Sequence, residues 1–207
     1  MHPNPVYRGP DAVRNLAFAR DRGFGVITMT GPDGPLLSHI PFVLNEAGDV
    51  AAAHIVRSNP IWRALREGEA QAVLAVSGAD GYVSPDWYET DDQVPTWNYV
   101  AVHLRGRVRL AAPETLASHL AALSASFETR LDGKKPWTMD KMSDEPLARM
   151  MRMIAPIEMQ IEAVDGTWKL NQNKADDVRL RAADAMEKSA IGMETAALAS
   201  LMRNPPT

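Results

Sequence analysis

The segment from His54 to Arg63 carries the residues best suited to chemistry. A predicted strand ends there, a short polar turn follows, and a helix begins. Arginine suits phosphate because its planar fork matches two oxygens at once, and the first amides of a helix also favour anions. Arg57, Ser58 and Asn59 therefore form a candidate phosphate site. An ordinary capped helix with solvated arginines would explain the same spacing, and both interpretations remain open.

Three other positions could contact a flat ligand. His39 lies close to Pro41 in a predicted strand, where a proline frees backbone groups that a planar heterocycle could use. Trp97 and Asn98 point to opposite faces of another strand, and such aromatics wall ligands or fill interfaces. Lys169 could place a positive charge against an electron-rich ring edge. Taken singly, each position is better explained by packing or, for the lysine, by solvation.

The elements that must position these side chains are predicted from turn and periodicity signals. Asp11 caps a first helix that closes at Gly23, and six or seven strands with short helices follow. The pair Asp165-Gly166 predicts a two-residue hairpin turn, and a helical tail begins at Ala175. Strands joined by turns favour an antiparallel barrel over a doubly wound sheet.

Composition limits the classes of function. The 207 residues are 45% hydrophobic and include no cysteine, which excludes disulfides, zinc–thiolate sites, iron–sulfur clusters and a thiol nucleophile. There is no signal-peptide pattern and no apolar run long enough to cross a bilayer, so we expect a cytoplasmic location and no membrane contact. The net charge is −4 and no basic recognition helix stands out, so we do not expect direct DNA binding.

Common catalytic patterns are missing from the chain. It has no G-x-S-x-G elbow, no G-x-x-x-x-G-K-[ST] loop and no G-x-G-x-x-G fingerprint. The histidines lack metal-site spacing, and His119 is expected at the surface of an amphipathic helix. We therefore predict no metal site and leave catalytic residues unassigned.

Five stretches of the chain, taken together and in this order, resemble the PaiB-type FMN-binding negative transcriptional regulator family. They are Ser38 to Phe42, His54 to Trp62, Tyr82 to Tyr88, Val94 to His103 and Lys169 to Lys174. The run Val94 to His103, VPTWNYVAVH, is long and specific. Asn171 and Lys174 stand where the family is expected to carry Ser and Arg, and both changes keep polarity or charge.

The resemblance implies a fold that is mainly β with flanking helices. It is an FMN-binding split β-barrel with antiparallel Greek-key connections, related to pyridoxamine-phosphate oxidases and flavin reductases, with a helical C-terminal tail. Residues 1–174 would form the barrel domain, and residues 175–207 a helical segment packed on it. The family likeness also implies a homodimer with FMN at the dimer interface.

The same likeness assigns cofactor-binding residues. They are Arg57, Ser58 and Asn59 at the FMN phosphate, His39 and Ile40 at the isoalloxazine ring, Trp97 and Asn98 beside the site, and Lys169 and Gln172 contributed by the second subunit.

Three functions remain open at this level. The first is an FMN-dependent oxidoreductase that receives electrons from NADH, NADPH or a reduced flavin. The second is a non-catalytic transcriptional regulator that acts through a metabolite or a partner protein. The third is a split barrel that binds haem or another planar ligand, with His39, His54 or His103 as the iron ligand.

Overall fold

The computed structural model of the protein describes residues 2–9 and 11–206. The strands are β1 (Phe24–Gly31), β2 (Gly34–Leu44), β3 (Val50–Val56), β4 (Ala70–Val83), β5 (Thr96–Leu110), β6 (Ile154–Lys169) and β7 (Gly192–Met193). The α-helices are α1 (Ala12–Arg22), α2 (Pro60–Leu65), α3 (Leu116–Glu128), α4 (Asp144–Arg152), α5 (Asp176–Glu187) and α6 (Thr195–Arg203). A short 3-10 helix, Pro85–Tyr88, follows β4.

The strands form one antiparallel sheet in the order β1-β2-β3-β6-β5-β4-β7. Because β1 pairs with β2 on one side and with β4 on the other, strands β1 to β6 close into a ring. The neighbour of β3 is β6 and not β4, so the chain crosses over before it completes the sheet. The predicted fold, a mainly β split barrel with flanking helices, is confirmed.

The chain divides into two compact units, and β4, β5 and β6 each run from one unit into the other. The barrel unit comprises Ala19–Ala75 and Leu104–Ala163. The helical unit comprises Val76–His103, the residues up to Phe18 and those from Val164 onward. The proposed domain boundary after residue 174 stays a prediction.

Each unit has its own apolar core. In the barrel unit the almost fully buried side chains include Ile27, Ile40, Phe42, Leu74 and Ile157. In the helical unit the buried cluster joins strand and turn residues to α5 and α6, as in Val83, Tyr88, Trp168, Leu170, Val178, Met186, Leu198 and Met202. The C-terminal helices therefore pack on the strand residues of this unit. No helix among the described residues is both long and apolar enough to span a membrane.

The first helix is built as its sequence predicts. The Arg14 amide donates to Asp11 Oδ1 at 2.9 Å, which caps the free amides of the first turn. Gly23 has a φ of +54° and its amide donates to the Ala19 carbonyl at 2.9 Å, which ends the helix in the left-handed region where glycine costs least.

The predicted hairpin at Asp165-Gly166 is wrong, because β6 continues without a turn from Ile154 to Lys169. In the helical unit the Gly9 amide donates to the Gly166 carbonyl at 2.9 Å, so the N-terminal segment pairs with this part of β6. A Cβ on Gly166 would lie 2.2 Å from Asn15 Oδ1. Glycine is therefore needed here for a close approach and not for a turn.

The expected surface position of His119 is also wrong, because its side chain is only 7% exposed. On α3 it lies between Leu116 and Leu123, which are also buried. The spacing of three and four residues places all three side chains on one face of the helix. His119 therefore lies on the same apolar face that indicated an amphipathic helix, and this face is buried.

Candidate functional site

Pro41 marks the place where β2 and β3 separate. Among the residues that the structure describes, β2 pairs with β3 only from Phe42 to Leu44, so the half of β2 before Pro41 has no strand partner on that side. The Phe42 amide donates to the Gly23 carbonyl at 2.9 Å, toward β1. Since backbone directions alternate along a strand, the amide and carbonyl of His39 point to the side that β3 leaves open. Pro41, which has no N–H to donate, thus lies directly before the residues of β2 that pair with β3.

His39 and its neighbour Ile40 differ in what they can offer a ligand. The His39 side chain is exposed and stacks near Phe24, with ring centroids 6.3 Å apart and planes inclined by 30°. Ile40 is 3% exposed and pairs with Gly25 of β1. Ile40 therefore belongs to the barrel core, and a ligand on this edge would meet His39.

Asn59 holds the turn after β3 in place. Its Oδ1 accepts from the Ile61 amide at 2.9 Å and so caps α2. Its Nδ2 donates to Ser38 Oγ on β2 at 3.1 Å. Both ends of the Asn59 amide are thus engaged in fixing the turn against the open part of β2.

Arg57 is anchored by one nitrogen and exposed at the others. Its Nε donates to the Arg152 carbonyl at 3.1 Å, and its guanidinium carbon lies 5.7 Å from the ring centroid of Trp62. Within the described part of the chain, neither of its Nη groups has a hydrogen-bond partner and no carboxylate pairs with it. The guanidinium is held in one orientation with its bidentate donors available for an oxyanion.

Two more arginines surround this turn. Arg63 Nη2 donates to the Ser58 carbonyl at 3.0 Å, and the Arg66 guanidinium lies 5.3 Å from the same Trp62 ring. Helix α2 has only six residues, so its dipole adds little to anion binding. The positive character of the turn comes from its arginines, with the exposed Ser58 beside them.

A second cluster lies in the helical unit, after the end of β6. Asn171 adopts a φ of +63° there, and the Gln172 side chain braces the turn. Gln172 Oε1 accepts from the Leu170 amide at 2.7 Å, and its Nε2 donates to the Val6 carbonyl at 3.2 Å. The amide of Gln172 thus shapes the turn that follows Lys169, the last residue of β6.

This turn forms one wall of a cavity of about 320 Å³, called the lysine cleft below. Its lining residues are Tyr7, Tyr88, Asp92, Gln93, Val94, Thr96, Lys169, Asn171, Asn173 and Lys174. Lys169 Nζ donates to Thr96 Oγ1, and Lys174 Nζ donates to Gln93 Oε1. Burial lowers the pKa of the Lys169 ammonium below its usual value.

Trp97 and Asn98 lie on opposite faces of β5, as predicted. Trp97 is 47% exposed and meets Tyr82 edge to face, with ring centroids 6.3 Å apart. Asn98 is fully buried, and neither its Oδ1 nor its Nδ2 has a hydrogen-bond partner among the described residues. Trp97 is therefore the member of this pair that an entering ligand could contact directly.

Sequence reasoning missed a pair of histidines in the barrel unit, of which His119 is buried and His54 is half-buried. His54 Nδ1 lies 3.2 Å from His119 Nε2, across from β3 to α3. Burial lowers the pKa of both, and the neighbouring His54 contributes to lowering the pKa of His119 to about 4. Both rings are neutral at pH 7, so one can donate to the other. The spacing of apolar residues around His119 on α3 is the sequence signal that could have predicted that this histidine is buried.

The predicted cofactor residues thus fall into two sets. His39, Ile40, Arg57, Ser58 and Asn59 lie in the barrel unit, gathered where β2, β3 and α2 meet. Trp97, Asn98, Lys169 and Gln172 lie in the helical unit.

Comparisons with known proteins identify a family for the sequence and related structures for the fold. The sequence profile of the family named "Putative FMN-binding domain" matches residues 1–163. The chain is 30% identical over 159 residues to the Protease synthase and sporulation protein PAI 2 of Bacillus subtilis, a match that covers 76% of this chain and 75% of that protein.

Two solved structures share the fold at low sequence identity. The FAD and heme binding protein from Mycobacterium smegmatis has a TM-score of 0.57 and 18% identity, covering 83% of this chain and 78% of that one. The flavocytochrome Anf3 from Azotobacter vinelandii has a TM-score of 0.55 and 16% identity, covering 81% and 72%.

Fold and relatives together define a flavin-binding split-barrel protein. The chain belongs to the FMN-binding domain family that the profile describes, with a PaiB-type relative, and its cofactor is FMN. The resemblance seen in the sequence is confirmed.

Proposed function

We propose that the chain is a homodimeric FMN-dependent oxidoreductase that binds the FMN phosphate at the turn after β3. The observation that carries the proposal is the geometry of Arg57. Its Nε is anchored on the Arg152 carbonyl at 3.1 Å, while no described residue pairs with its Nη groups. A guanidinium fixed in this way has already lost much of its rotational freedom, so it can meet a phosphate with two parallel hydrogen bonds at reduced entropic cost.

The residues around Arg57 fit a flavin phosphate and ring. Ser58 is exposed next to the guanidinium and can donate a hydroxyl hydrogen bond to phosphate. The backbone of His39 faces the side of β2 that β3 leaves open, where the polar edge of a flat ring could pair with it. Asn59 acts by holding the turn, since both ends of its amide are already engaged.

When bound, FMN supplies the electron-transfer chemistry, and the chain binds and orients it. Arg57 and Ser58 hold the phosphate, and His39 positions the ring. Lys169, contributed by the second subunit, places positive charge at the pyrimidine edge of the ring and favours a reduced, anionic flavin. Burial of the Lys169 ammonium lowers its pKa and strengthens its field, because less water screens it.

The proposal is tested on the freshly purified protein. We expect a flavin absorption spectrum, a dimer by light scattering, and bleaching of the flavin band when NADH or NADPH is added without oxygen. A colourless monomer that ignores added FMN would contradict the proposal. If the protein contains flavin but is not bleached by NADH, NADPH or a reduced flavin, FMN binding still holds and the oxidoreductase activity is contradicted.

A second candidate is a regulator, favoured by the relative whose name refers to protease synthesis and sporulation. The net charge of −4 argues for an indirect action through a metabolite or a partner protein. A gel-shift measurement at physiological salt separates the two routes. Specific, salt-sensitive DNA binding would establish direct repression and contradict the indirect route.

Haem is the alternative ligand to test, because one solved neighbour is named a FAD and heme binding protein and the other a flavocytochrome. Of the three histidines considered, His54 is occupied by His119 and His103 is partly buried, while His39 is exposed. His39 is therefore the proposed axial ligand if haem binds. The absorption spectrum decides, since haem and flavin bands differ plainly.

A further inference from the structure

The lysine cleft has a chemistry of its own, separate from the arginine turn of the barrel unit. Of its lining residues, Lys169 and Lys174 are basic and only Asp92 is acidic. Asp92 is exposed, so water screens its charge, whereas both lysines are partly buried. The cleft therefore favours negative charge over positive charge.

Neither lysine is neutralised within the described part of the chain. Lys174 Nζ donates to the neutral Gln93 amide and lies 4.8 Å from the ring centroid of Tyr88. Lys169 Nζ donates to the neutral Thr96 hydroxyl and lies 5.8 Å from the ring centroid of Tyr7. An ammonium has three donors, so each lysine keeps donors for a further acceptor.

A buried amide adds an independent sign of a missing partner. Asn171 is 2% exposed and has a left-handed backbone, with a φ of +63°. Tyr88 Oη donates to Asn171 Oδ1 at 3.3 Å, while Asn171 Nδ2 has no hydrogen-bond partner among the described residues. A buried N–H without a partner is costly, and an acceptor entering the cleft would relieve that cost.

We propose that the lysine cleft binds the carboxylate or phosphate group of a small organic molecule, with Lys174 and Asn171 as its main donors and Lys169 as a second cation. The cavity of about 320 Å³ lies near the lower end of the range of small-molecule sites, so the ligand is small. The assignment rests on Lys174 and Asn171, to which the flavin proposal gives no role, whereas Lys169 is shared with the flavin proposal and so is not used in the test.

The binding test uses isothermal titration of the full chain in a low-chloride buffer. Succinate is the carboxylate probe, inorganic phosphate is the phosphate probe, and ethylenediamine is a cationic control. We expect saturable binding of one of the two anions, one per chain, and none of the cation. The anion that binds identifies the group. Failure of both anions, or binding of the cation alone, would overturn the proposal.

Variants locate the binding in the cleft. Lys174→Met should weaken anion binding about tenfold or more, because it removes a hydrogen bond to a charged group. Asn171→Asp should weaken it by at least a similar factor, about tenfold, since the carboxylate still accepts from Tyr88 but replaces the free donor with negative charge. Asp92→Asn should tighten it. Lys188→Met, at an exposed lysine of the same unit, is the matched control and should change nothing.

FMN affinity is measured on the same variants, so that a failure of the cleft proposal can be told apart from a failure of the flavin proposal. Arg57→Ala should lose FMN affinity and keep anion binding, whereas Lys174→Met should do the reverse. Unchanged anion binding in both Lys174→Met and Asn171→Asp, with unfolding midpoints near that of the parent, would overturn the cleft assignment. So would competition between FMN and the anion with equal losses for both in Lys174→Met, because Lys174 would then bind the flavin itself.

Discussion

Asn59 Nδ2 donates to Ser38 Oγ at 3.1 Å, and this bond joins the turn after β3 to the part of β2 from which β3 has already separated. It lies beyond the last paired residues of the two strands, Phe42 and Ala53. The bond therefore sets the spacing between the two sides of the proposed phosphate and ring site.

Replacing Asn59 should cost more than replacing its partner. Asn59→Ala removes both the helix cap and the bridge, so we expect a loss of about 1–2 kcal/mol in the free energy of unfolding. Ser38→Ala removes the bridge alone and should cost about 0.5–1 kcal/mol. Urea denaturation of the two variants measures both values, and equal losses would show that the cap contributes nothing.

The His54–His119 pair predicts a specific loss of stability in mild acid. Because burial lowers the pKa of both rings in the folded state, the unfolded chain takes up protons first as the pH falls. The free energy of unfolding should therefore fall as the pH is lowered from about 6.5 to the His119 pKa of about 4. The expected loss is on the order of 2 kcal/mol. His119→Gln keeps a partner for His54 and removes one titrating ring, so its decline should be shallower. A slope identical to that of the parent protein would rule out this pair as the cause.

A side chain at position 166 is predicted to lower the free energy of unfolding while Asn15 is present. Gly166→Ala places a Cβ 2.2 Å from Asn15 Oδ1, so the neighbouring strand or the Asn15 side chain must move, at a cost of about 1–3 kcal/mol. The clash is tested by a double-mutant cycle with Asn15→Ala, which also removes the Asn15 bond to Trp168 Nε1. We expect Gly166→Ala to cost less in the Asn15→Ala background. Strict additivity of the two losses would contradict the close approach.

Lys169 should raise the reduction potential of the bound flavin. Lys169→Met removes a cation from the ring edge and should lower the two-electron potential by roughly 20–40 mV, the equivalent of about 1–2 kcal/mol. Lys188→Met is the control, because it removes the same charge at an exposed position. Spectroelectrochemical titration of both variants makes the comparison, and an unchanged potential in Lys169→Met would remove the lysine from the flavin environment.

Local signals in the sequence predicted the elements that depend on local chemistry. The Asp11 cap, the Gly23 helix end and a capped start of α2 all form as expected, because each requires only hydrogen bonds within a few residues. The motif likeness identified the family for the same reason, since its stretches are continuous in sequence.

Long-range contacts account for what the sequence did not predict. Asp165-Gly166 is a strong local turn signal, yet the N-terminal segment pairs with this part of β6 and Asn15 packs against Gly166. The bond from Gln172 Nε2 to the Val6 carbonyl was not predicted either, while the place of Gln172 at the cofactor stays a prediction. These outcomes depend on residues more than 140 positions away, and single-sequence patterns carry no information at that range.

The most direct test of the central claim is the affinity of Arg57→Ala for FMN and for riboflavin, measured by fluorescence titration against the parent chain. The phosphate assignment predicts that the variant loses about 1.5–3 kcal/mol of FMN binding and binds riboflavin, which has no phosphate, as the parent does. Arg109→Ala, which removes an exposed arginine paired with Glu158 in the same unit, should leave both affinities unchanged. Equal FMN affinity in Arg57→Ala and the parent would contradict the account.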